Sequence, residues 1–363
     1  MKTADTIVIG GGIIGLSLAL ALRRQGADVI LVERGEPGRE ASHAAAGMLA
    51  WCDPHQPVAL RPLIQASARL YPEFVHELED ESGLRIDYRR DGTIAFDPGC
   101  PPVSPEVRSL TAEELSTLEP SLSSPNLRAE FWPEASVDPR TLLAAAIGAA
   151  RHRGVNLVHG SNVTELVVES GRALGVKTEK ARFAAANVVN CAGAWAGRVQ
   201  AGVTTIPTRP VKGQMLAVLP AEKNSPRHVV RAPEVYLVPR SDGRLLLGAT
   251  VEEAGYNKKV DPSVIRRLLN AAIRLVPALA PARILEDWAG LRPGTPDDLP
   301  ILGTTSLPGY FVAAGHFRDG ILLAPITARV IADVIAGRTS GFDLTPFSLS
   351  RFEPPARFSA RVL

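Results

Sequence analysis

The segment TIVIGGGIIGLSLALALRRQG, residues 6–26, gives the strongest indication of the fold class in this chain. TIVI is apolar and rich in β-branched residues, which predicts a strand buried on both faces. Gly10, Gly12 and Gly15 follow with G-x-G-x-x-G spacing, and an apolar helical stretch then runs to Gly26, a typical C-terminal stop. A strand, a glycine turn and a helix in this order indicate a Rossmann-like dinucleotide-binding unit.

Each part of this unit has a physical task. The first glycine permits a tight turn, the second lets the backbone approach a pyrophosphate, and the third lets helix and strand pack closely. A second strand, ADVILVE, ends in Glu33, whose carboxylate is placed to accept hydrogen bonds from ribose hydroxyls. The candidate cofactor contacts of this unit are Gly10, Gly12, Ile13, Ile14, Gly15, Glu33 and Arg34.

Composition excludes several functional classes. The 363 residues are 45% hydrophobic and 21% charged with a net charge of +2, which argues against a dedicated nucleic-acid or membrane-surface protein. Cys52, Cys100 and Cys191 are odd in number and widely spaced, so we expect neither a disulfide framework nor a metal site, and a cytoplasmic location. The apolar run at 7–22 is interrupted by glycines, so we interpret it as folded structure and expect no signal peptide or membrane span.

The segment REASHAAAGMLAWCDP at 39–54 indicates that the expected cofactor is FAD and not NAD. A simple NAD dehydrogenase would continue with repeated strand–helix units, whereas these small side chains let backbone lie against a large planar ring. The pattern favours an isoalloxazine. The candidate contacts here are Ser42, Ala45, Ala46, Gly47 and Met48.

Five motifs together carry a resemblance to a known family. They are GGGIIG with its distal Glu33, ASHAAAGML, VVNCAGAWAG at 188–197, GLRPGTPDDLPILG at 290–303 and GHFRDGILLAP at 315–325. With them, the sequence from about residue 5 to about residue 352 resembles the glycine oxidase branch of the FAD-dependent amine and D-amino-acid oxidases. The last two motifs are far more specific than the first, which many flavoproteins share.

This resemblance implies the fold. It implies an α/β protein in which a Rossmann-like FAD-binding domain of the glutathione-reductase type is joined to an α+β substrate domain built on an antiparallel sheet. The expected FAD-binding domain comprises 1–85, 140–204 and 285–363, and the expected substrate domain 86–139 and 205–284. The residue patterns are compatible with this fold, since KGQMLAVL, EVYLVP and RLLLGAT have the pattern of strands and 139–153 and 262–276 have the pattern of helices.

The resemblance also implies further flavin contacts. Ala192, Gly193 and Trp195 lie in the turn that faces the dinucleotide, and Val163 lies where backbone groups meet the adenine. The loop and helix start at 315–325 place main-chain N–H groups near the flavin ring. Its candidates are His316, Arg318, Asp319, Gly320, Ile321 and Leu322. Neither His43 nor Cys52 aligns with the covalent attachment sites of related enzymes, so noncovalent FAD is expected.

Arg292 is the candidate anchor for a substrate carboxylate, in a stretch that we interpret as rich in turns. A guanidinium pairs with a carboxylate through a planar fork of donors. The resemblance implies that Tyr236 shares the carboxylate, that Met48 and Arg318 wall the pocket, and that Arg292 also borders the flavin. We expect His316 to make a structural hydrogen bond and not to act as a base, because hydride transfer from a neutral amine depends largely on orientation.

These observations predict oxidative deamination of glycine or another small amino acid or amine, with FAD as cofactor and molecular oxygen as acceptor. The products are an imine or 2-oxo acid, ammonia and hydrogen peroxide, and the resemblance suggests a role in thiamine thiazole synthesis. Two alternatives stay open: a D-amino-acid dehydrogenase that uses a quinone or other carrier, and a non-catalytic flavin-binding subunit of a complex. The substrate also stays open among glycine, sarcosine, D-alanine and D-proline, and so does a homo-oligomeric state. The effects of two departures from the family pattern, His43 and Asp319, are open as well.

Overall fold

A computed structural model describes residues 2–102, 104–123, 127–199, 202, 205–221 and 225–352. The described residues form two large sheets with helices packed on them, and residues of both sheets line one cavity. Strands and helices are numbered below in chain order.

The first sheet is mixed but mostly parallel, with the order β10-β11-β12-β1-β2-β9. The strand β12 also pairs with β19 in parallel, and β19 pairs with β18. The predicted opening strand and glycine turn are confirmed, with the turn between β1 and the first helix. The strands are β1 Lys2–Ile9, β2 Val29–Val32, β9 Asn156–Val158, β10 Val163–Glu169, β11 Arg172–Thr178, β12 Arg182–Asn190, β18 Ile301–Thr304 and β19 Tyr310–Ala314.

Helices cover one face of this sheet and one face of the second sheet. The described helices are α1 Ile13–Arg24, α2 Ala41–Ala44, α3 Arg61–Ser82, α4 Ala112–Leu118, α5 Pro139–His152, α6 Pro262–Leu275 and α7 Ala324–Ile335. The predicted helices at 139–153 and 262–276 are confirmed as α5 and α6. Asp138 and Asp261 cap them by accepting hydrogen bonds from first-turn amides, which satisfies donors that the helix itself leaves unpaired.

The second sheet has the order β17-β13-β16-β15-β14-β5-β7-β6 and is antiparallel except where β14 meets β5. Its strands are β5 Thr93–Phe96, β6 Arg108–Leu110, β7 Ala129–Trp132, β13 Arg209–Leu219, β14 Val229–Arg231, β15 Tyr236–Pro239, β16 Leu245–Gly248 and β17 Arg283–Gly294. A small third sheet, β3-β8-β4, contains β3 Met48–Leu49, β4 Tyr88–Arg89 and β8 Ala135–Val137. The α6 helix packs its apolar face on the second sheet.

The structure corrects the interpretation of the Arg292 stretch as rich in turns. Arg292 lies inside β17, opposite Val211 of β13, and turns begin only after Gly294. Pro293 is tolerated because β17 is the edge strand of the sheet, so the missing N–H breaks no ladder. A strand holds Arg292 more rigidly than a turn would.

The domain division stays a prediction. Its boundary at 285 falls within β17, which hydrogen-bonds to β13 along its length and so continues the second sheet as far as Gly294. The boundary residue Thr204 and the terminal stretch 353–363 lie outside the described residues. None of the helices in the described ranges is both long and apolar enough to cross a bilayer.

Candidate active site

The turn after β1 forms a cradle that only glycines fit. Gly10 has a φ of +104°, and a Cβ added there would lie 2.5 Å from the carbonyl oxygen of Cys191. A Cβ at Gly15 would lie 2.0 Å from the carbonyl oxygen of Gly10, so this glycine lets α1 pack directly against the turn. Close backbone contacts therefore explain why glycines occupy these positions of the motif, as the sequence suggested.

The N-terminus of α1 offers unpaired donors to the cavity. The hydroxyl of Ser42 accepts from the amide of Ile13 at 3.1 Å. The next amide, of Ile14, which lines the cavity, donates to no protein acceptor in the described part of the chain, and neither does the amide of Gly15 behind it. With the partial positive charge of the helix end, they suit a pyrophosphate.

Glu33 lies at the far end of the same cavity. Its two carboxylate oxygens accept from the amides of Gly11, at 2.7 Å, and Gly35, at 2.8 Å. These two bonds fix the carboxylate beside the glycine turn. Each oxygen retains further lone-pair capacity, so the position suits ribose hydroxyls as well.

Stacked cations and aromatic rings form the rim next to Glu33. The guanidinium of Arg34 lies 3.6 Å from the ring centroid of Trp195. Trp195 and Tyr256 have centroids 5.4 Å apart, and Arg198 lies 3.7 Å over Tyr256. Such contacts hold long side chains against apolar surface and give this end of the cavity a defined wall.

The small-residue segment 44–48 is clamped from the second sheet. Arg240 Nη2 donates to the carbonyl oxygen of Ala46 at 2.5 Å, and Trp288 Nε1 donates to that of Ala44 at 3.1 Å. Gly47 has a φ of +73°, and a Cβ there would lie 1.9 Å from the carbonyl oxygen of Val137. The backbone facing the cavity is thus fixed from both sides.

Arg292 reaches the cavity across the backbone of β13. A Cβ at Gly213 would lie 2.3 Å from Arg292 Nη1, so the glycine creates the space in which the guanidinium lies. Nη1 donates to the carbonyl oxygen of Thr250 at 3.0 Å. Among the described residues Arg292 has no carboxylate partner, and burial lowers the pKa of its guanidinium. A partly buried cation without an acid partner is suited to bind an anion from outside the chain.

Tyr236 stands beside Arg292 on β15. Its hydroxyl donates to Met215 Sδ at 3.4 Å, and burial raises its pKa while the neighbouring Arg292 lowers it. The phenol therefore stays protonated at neutral pH and acts as a hydrogen-bonding group, not as a base.

The loop after β19 completes the wall. His316 is 3% exposed, and its Nε2 lies 3.1 Å from the hydroxyl of Thr327. Burial lowers the pKa of His316 to about 3, so the imidazole is neutral, as a structural role requires. Arg318 is exposed and packs on the ring of Phe317.

One cavity of about 1310 Å³ joins almost all of these groups. Among the residues predicted for the site, Gly15 and Leu322 do not line it. Gly15 faces the turn backbone, and Leu322 lies in the core, where its carbonyl oxygen accepts from Ser67. The predicted residues that line it are Gly10, Gly12, Ile13, Ile14, Glu33, Arg34, Ser42, Ala45, Ala46, Gly47, Met48, Val163, Ala192, Gly193, Trp195, Tyr236, Arg292, His316, Arg318, Asp319, Gly320 and Ile321.

Several lining residues were not found from the sequence. Arg231, Asp53 and Gln56 wall the end of the cavity that also holds Tyr236. The signal for Arg231 was present, because VVRAPEVYLV is a hairpin pattern, and the structure places Arg231 opposite Tyr236. No local signal marks Asp53 or Gln56, which enter through tertiary packing alone.

The residues fit an FAD. The glycine cradle, the open amides of α1 and Glu33 form a dinucleotide site, and the clamped segment 44–48 and the loop at 315–321 form a wall of backbone and small side chains for a planar ring. Within the described ranges, no group of three or more His, Cys, Asp or Glu side chains is placed to hold a metal ion.

Comparisons with known proteins agree with this geometry. The family model described as FAD dependent oxidoreductase (DAO) matches residues 5–334. Over 97% of this chain and 99% of the other, the structure superimposes on the crystal structure of glycine oxidase from Geobacillus kaustophilus with a TM-score of 0.91 and 33% identity.

Two curated relatives carry other names. The bifunctional protein ThiO/ThiG of Trichormus variabilis is 36% identical over 98% of this chain but 56% of its own length, so this chain spans about half of that relative. The hydrogen cyanide synthase subunit HcnC of Pseudomonas aeruginosa is 32% identical over 97% of both proteins.

Proposed function

The chain belongs to the family of FAD-dependent oxidoreductases, and on that premise we propose that it oxidises the amine of a small amino acid, with glycine as the first candidate. The proposed products are an imine, which water converts to a 2-oxo acid and ammonia, and hydrogen peroxide. The glycine oxidase of G. kaustophilus, similar over nearly its whole length, supports this choice of substrate.

One observation carries the proposal. Arg292 is a partly buried guanidinium without an acid partner among the described residues, and it faces the same cavity as the dinucleotide cradle. A carboxylate that pairs with its planar fork would bring the neighbouring α-carbon next to the ring-binding wall. Met48 and Tyr236 both line the cavity, and their bulky side chains beside the anchor favour a small substrate.

The chain contributes binding and orientation, and a noncovalently bound FAD would supply the redox chemistry as the hydride acceptor. Arg292 and Tyr236 hold the carboxylate, and the rigid strands β15 and β17 fix their positions. The clamped segment 44–48 limits movement of the opposite wall. Neutral His316 supports the loop by its bond to Thr327 and takes no proton.

The test is a panel of amines mixed anaerobically with the purified, FAD-loaded protein. Reduction by glycine, sarcosine or D-alanine, seen as loss of the yellow flavin absorbance, supports amino-acid oxidation. Admitting air then distinguishes the acceptors. Fast recovery of colour with one peroxide per turnover supports an oxidase, while a flavin that stays reduced until a quinone is added supports a D-amino-acid dehydrogenase.

A second candidate is a flavoprotein subunit that works within a complex, and the hydrogen cyanide synthase subunit among the relatives favours it. In that case no amine would reduce the isolated chain. The ThiO/ThiG relative supports a place in thiamine thiazole synthesis, where the imine would be the useful product. Homo-oligomerisation and a cytoplasmic location stay predictions.

A further inference from the structure

A group of three carboxyl side chains, Asp53, Glu134 and Asp319, surrounds Arg231 at the substrate end of the cavity, and we call it the acid cluster. Arg231 Nη2 pairs with Asp53 Oδ2 at 2.6 Å. Glu134 Oε1 accepts from the amide of Cys52 at 2.8 Å. The cluster lies next to the proposed carboxylate anchor, because Arg231 is the cross-strand partner of Tyr236.

Asp319 differs from the other two acids in its partners. Asp53 is neutralised by Arg231, and Glu134 does not line the cavity. Asp319 lines the cavity, and within the described ranges it forms no ion pair. Its Oδ1 receives a long hydrogen bond, 3.4 Å, from Gln56 Nε2. No described residue donates to its Oδ2, which leaves that oxygen available to a ligand.

The backbone holds Asp319 in place. Its amide donates to the carbonyl oxygen of His316 at 2.9 Å, and its own carbonyl oxygen accepts from the amide of Leu323 at 2.8 Å. The first bond closes a turn within the loop and the second ties the loop to the residue that caps α7, so the backbone that carries the carboxyl group is fixed.

An amino acid reaches this site as a zwitterion, and its ammonium must lose a proton before a hydride can leave the α-carbon. On the basis of the function proposed above, we propose that Asp319 is the group that accepts this proton. With the substrate carboxylate on Arg292 and Tyr236, the adjacent amino group lies at the end of the cavity that the acid cluster walls. The arrangement places an anion where the substrate carries its positive charge.

The step balances. One N–H bond of the ammonium breaks, its electron pair stays on nitrogen, and one O–H bond forms on the Asp319 carboxylate. The hydride that then leaves the α-carbon and the proton on Asp319 are together what one O₂ needs to become one H₂O₂. No co-reactant beyond the amino acid and oxygen is required.

The charged surroundings of Asp319 suit this role. Burial and the negative charge of Asp53 raise the pKa of its carboxyl to about 6, and Gln56, Arg318 and Arg231 act in the opposite direction. The facing titratable groups are Asp53 and His55 on the 50–57 loop, Arg231 on β14 and Arg318 and His316 on its own loop. Asp319 is therefore ionised above about pH 6 and can receive a proton at neutral pH.

Neighbouring groups are poorer acceptors. Tyr236 stays protonated, since burial raises its pKa, and His316 is buried with its Nε2 bonded to Thr327. Burial raises the pKa of Glu134 to about 7, yet its side chain lies behind the wall and is bonded to Cys52. Glu134 is thus a matched control, with a raised pKa in the same cluster but without access to the substrate.

The experiment compares anaerobic flavin bleaching by glycine between pH 5 and 9 in the wild type, Asp319→Asn and Glu134→Gln. In the wild type the bleaching rate should rise with pH around pH 6. Asp319→Asn should lose this rise and be slower at pH 7.5 by about 10²-fold, the lower range for loss of an acid–base group. Glu134→Gln should keep the rise. A rise that persists in Asp319→Asn, or that disappears only in Glu134→Gln, overturns the proposal.

A second measurement needs neither turnover nor a stable amide variant. The infrared carboxyl band of the wild-type protein, titrated in the absence of substrate, should contain a component near pH 6 that moves in Asp319→Glu. The same glutamate variant should retain a rise in the bleaching profile at a shifted pH. If neither the infrared titration midpoint nor the pH at which bleaching rises changes in Asp319→Glu, Asp319 is not the proton acceptor. If the wild type is not reduced by any amine, the proposed function itself fails, and that outcome is distinct from a wild type that is reduced with no dependence on Asp319.

Discussion

Replacement of Arg292 is the most direct test of how this site binds its substrate. Arg292 Nη1 already donates to the carbonyl oxygen of Thr250, and the remaining donors of the fork are available to a ligand. Two hydrogen bonds between a buried guanidinium and a carboxylate contribute about 1.5–3 kcal/mol each. Arg292→Ala should therefore cost roughly 3–6 kcal/mol, or about 10²- to 10⁴-fold in kcat/KM for glycine.

Arg292→Lys supplies the matched comparison. A lysine keeps the positive charge but loses the planar fork, so about one of the two hydrogen bonds should remain and the loss should be roughly 10- to 10²-fold. Both variants should still contain one FAD per chain, because Arg292 lies at the substrate end of the cavity and the cradle at the other.

The assay is anaerobic bleaching at increasing glycine concentration, repeated with ethylamine, which has no carboxylate. Ethylamine should be oxidised poorly and equally by the wild type and both variants, since it makes no use of the guanidinium. Glycine bleaching that saturates at the same concentration in the wild type and in Arg292→Ala would refute the assignment. So would a variant that loses glycine and ethylamine activity by the same factor.

Three further outcomes are expected. Gly15→Ala should purify without flavin, since its Cβ would lie 2.0 Å from the carbonyl oxygen of Gly10; a normal absorbance ratio of flavin to protein would contradict this. Gly213→Ala should displace the Arg292 guanidinium and raise KM for glycine with little change in FAD content, and an unchanged KM would disprove the steric argument. Burial raises the pKa of Glu134 to about 7 in the folded chain, against 4.5 for a solvent-exposed glutamate, so its contribution to stability is present below pH 4.5 and lost as the pH rises through 7. Between pH 4.5 and 7 the free energy of unfolding, measured with denaturant, should fall less for Glu134→Gln than for the wild type, by up to about 3 kcal/mol. Equal decreases in the two proteins would show that Glu134 does not titrate in this range.

The dinucleotide half of the site was predictable because its requirements are local. A tight turn, a close helix–strand contact and a helix N-terminus depend on residues a few positions apart, so Gly10, Gly12 and Gly15 predict them directly. Glu33 follows from the length of one helix and one strand. The resemblance to a known family added the expected flavin contacts and the candidate carboxylate anchor, residues that no local pattern would connect.

The substrate end depends on contacts between distant segments. Gly213 and Arg292 meet because β13 and β17 pair in one register, and a shift by one residue would turn the guanidinium to the other face. Asp53 meets Arg231 across 178 positions, and Asp319 meets Gln56 across 263. The order of the residues was therefore enough to predict the glycine cradle and the α/β fold class. The position of Arg292 in a strand and the acid cluster beside it follow from the folded chain, because burial and pairing set the ionisation of those side chains and neither can be read from neighbours along the chain.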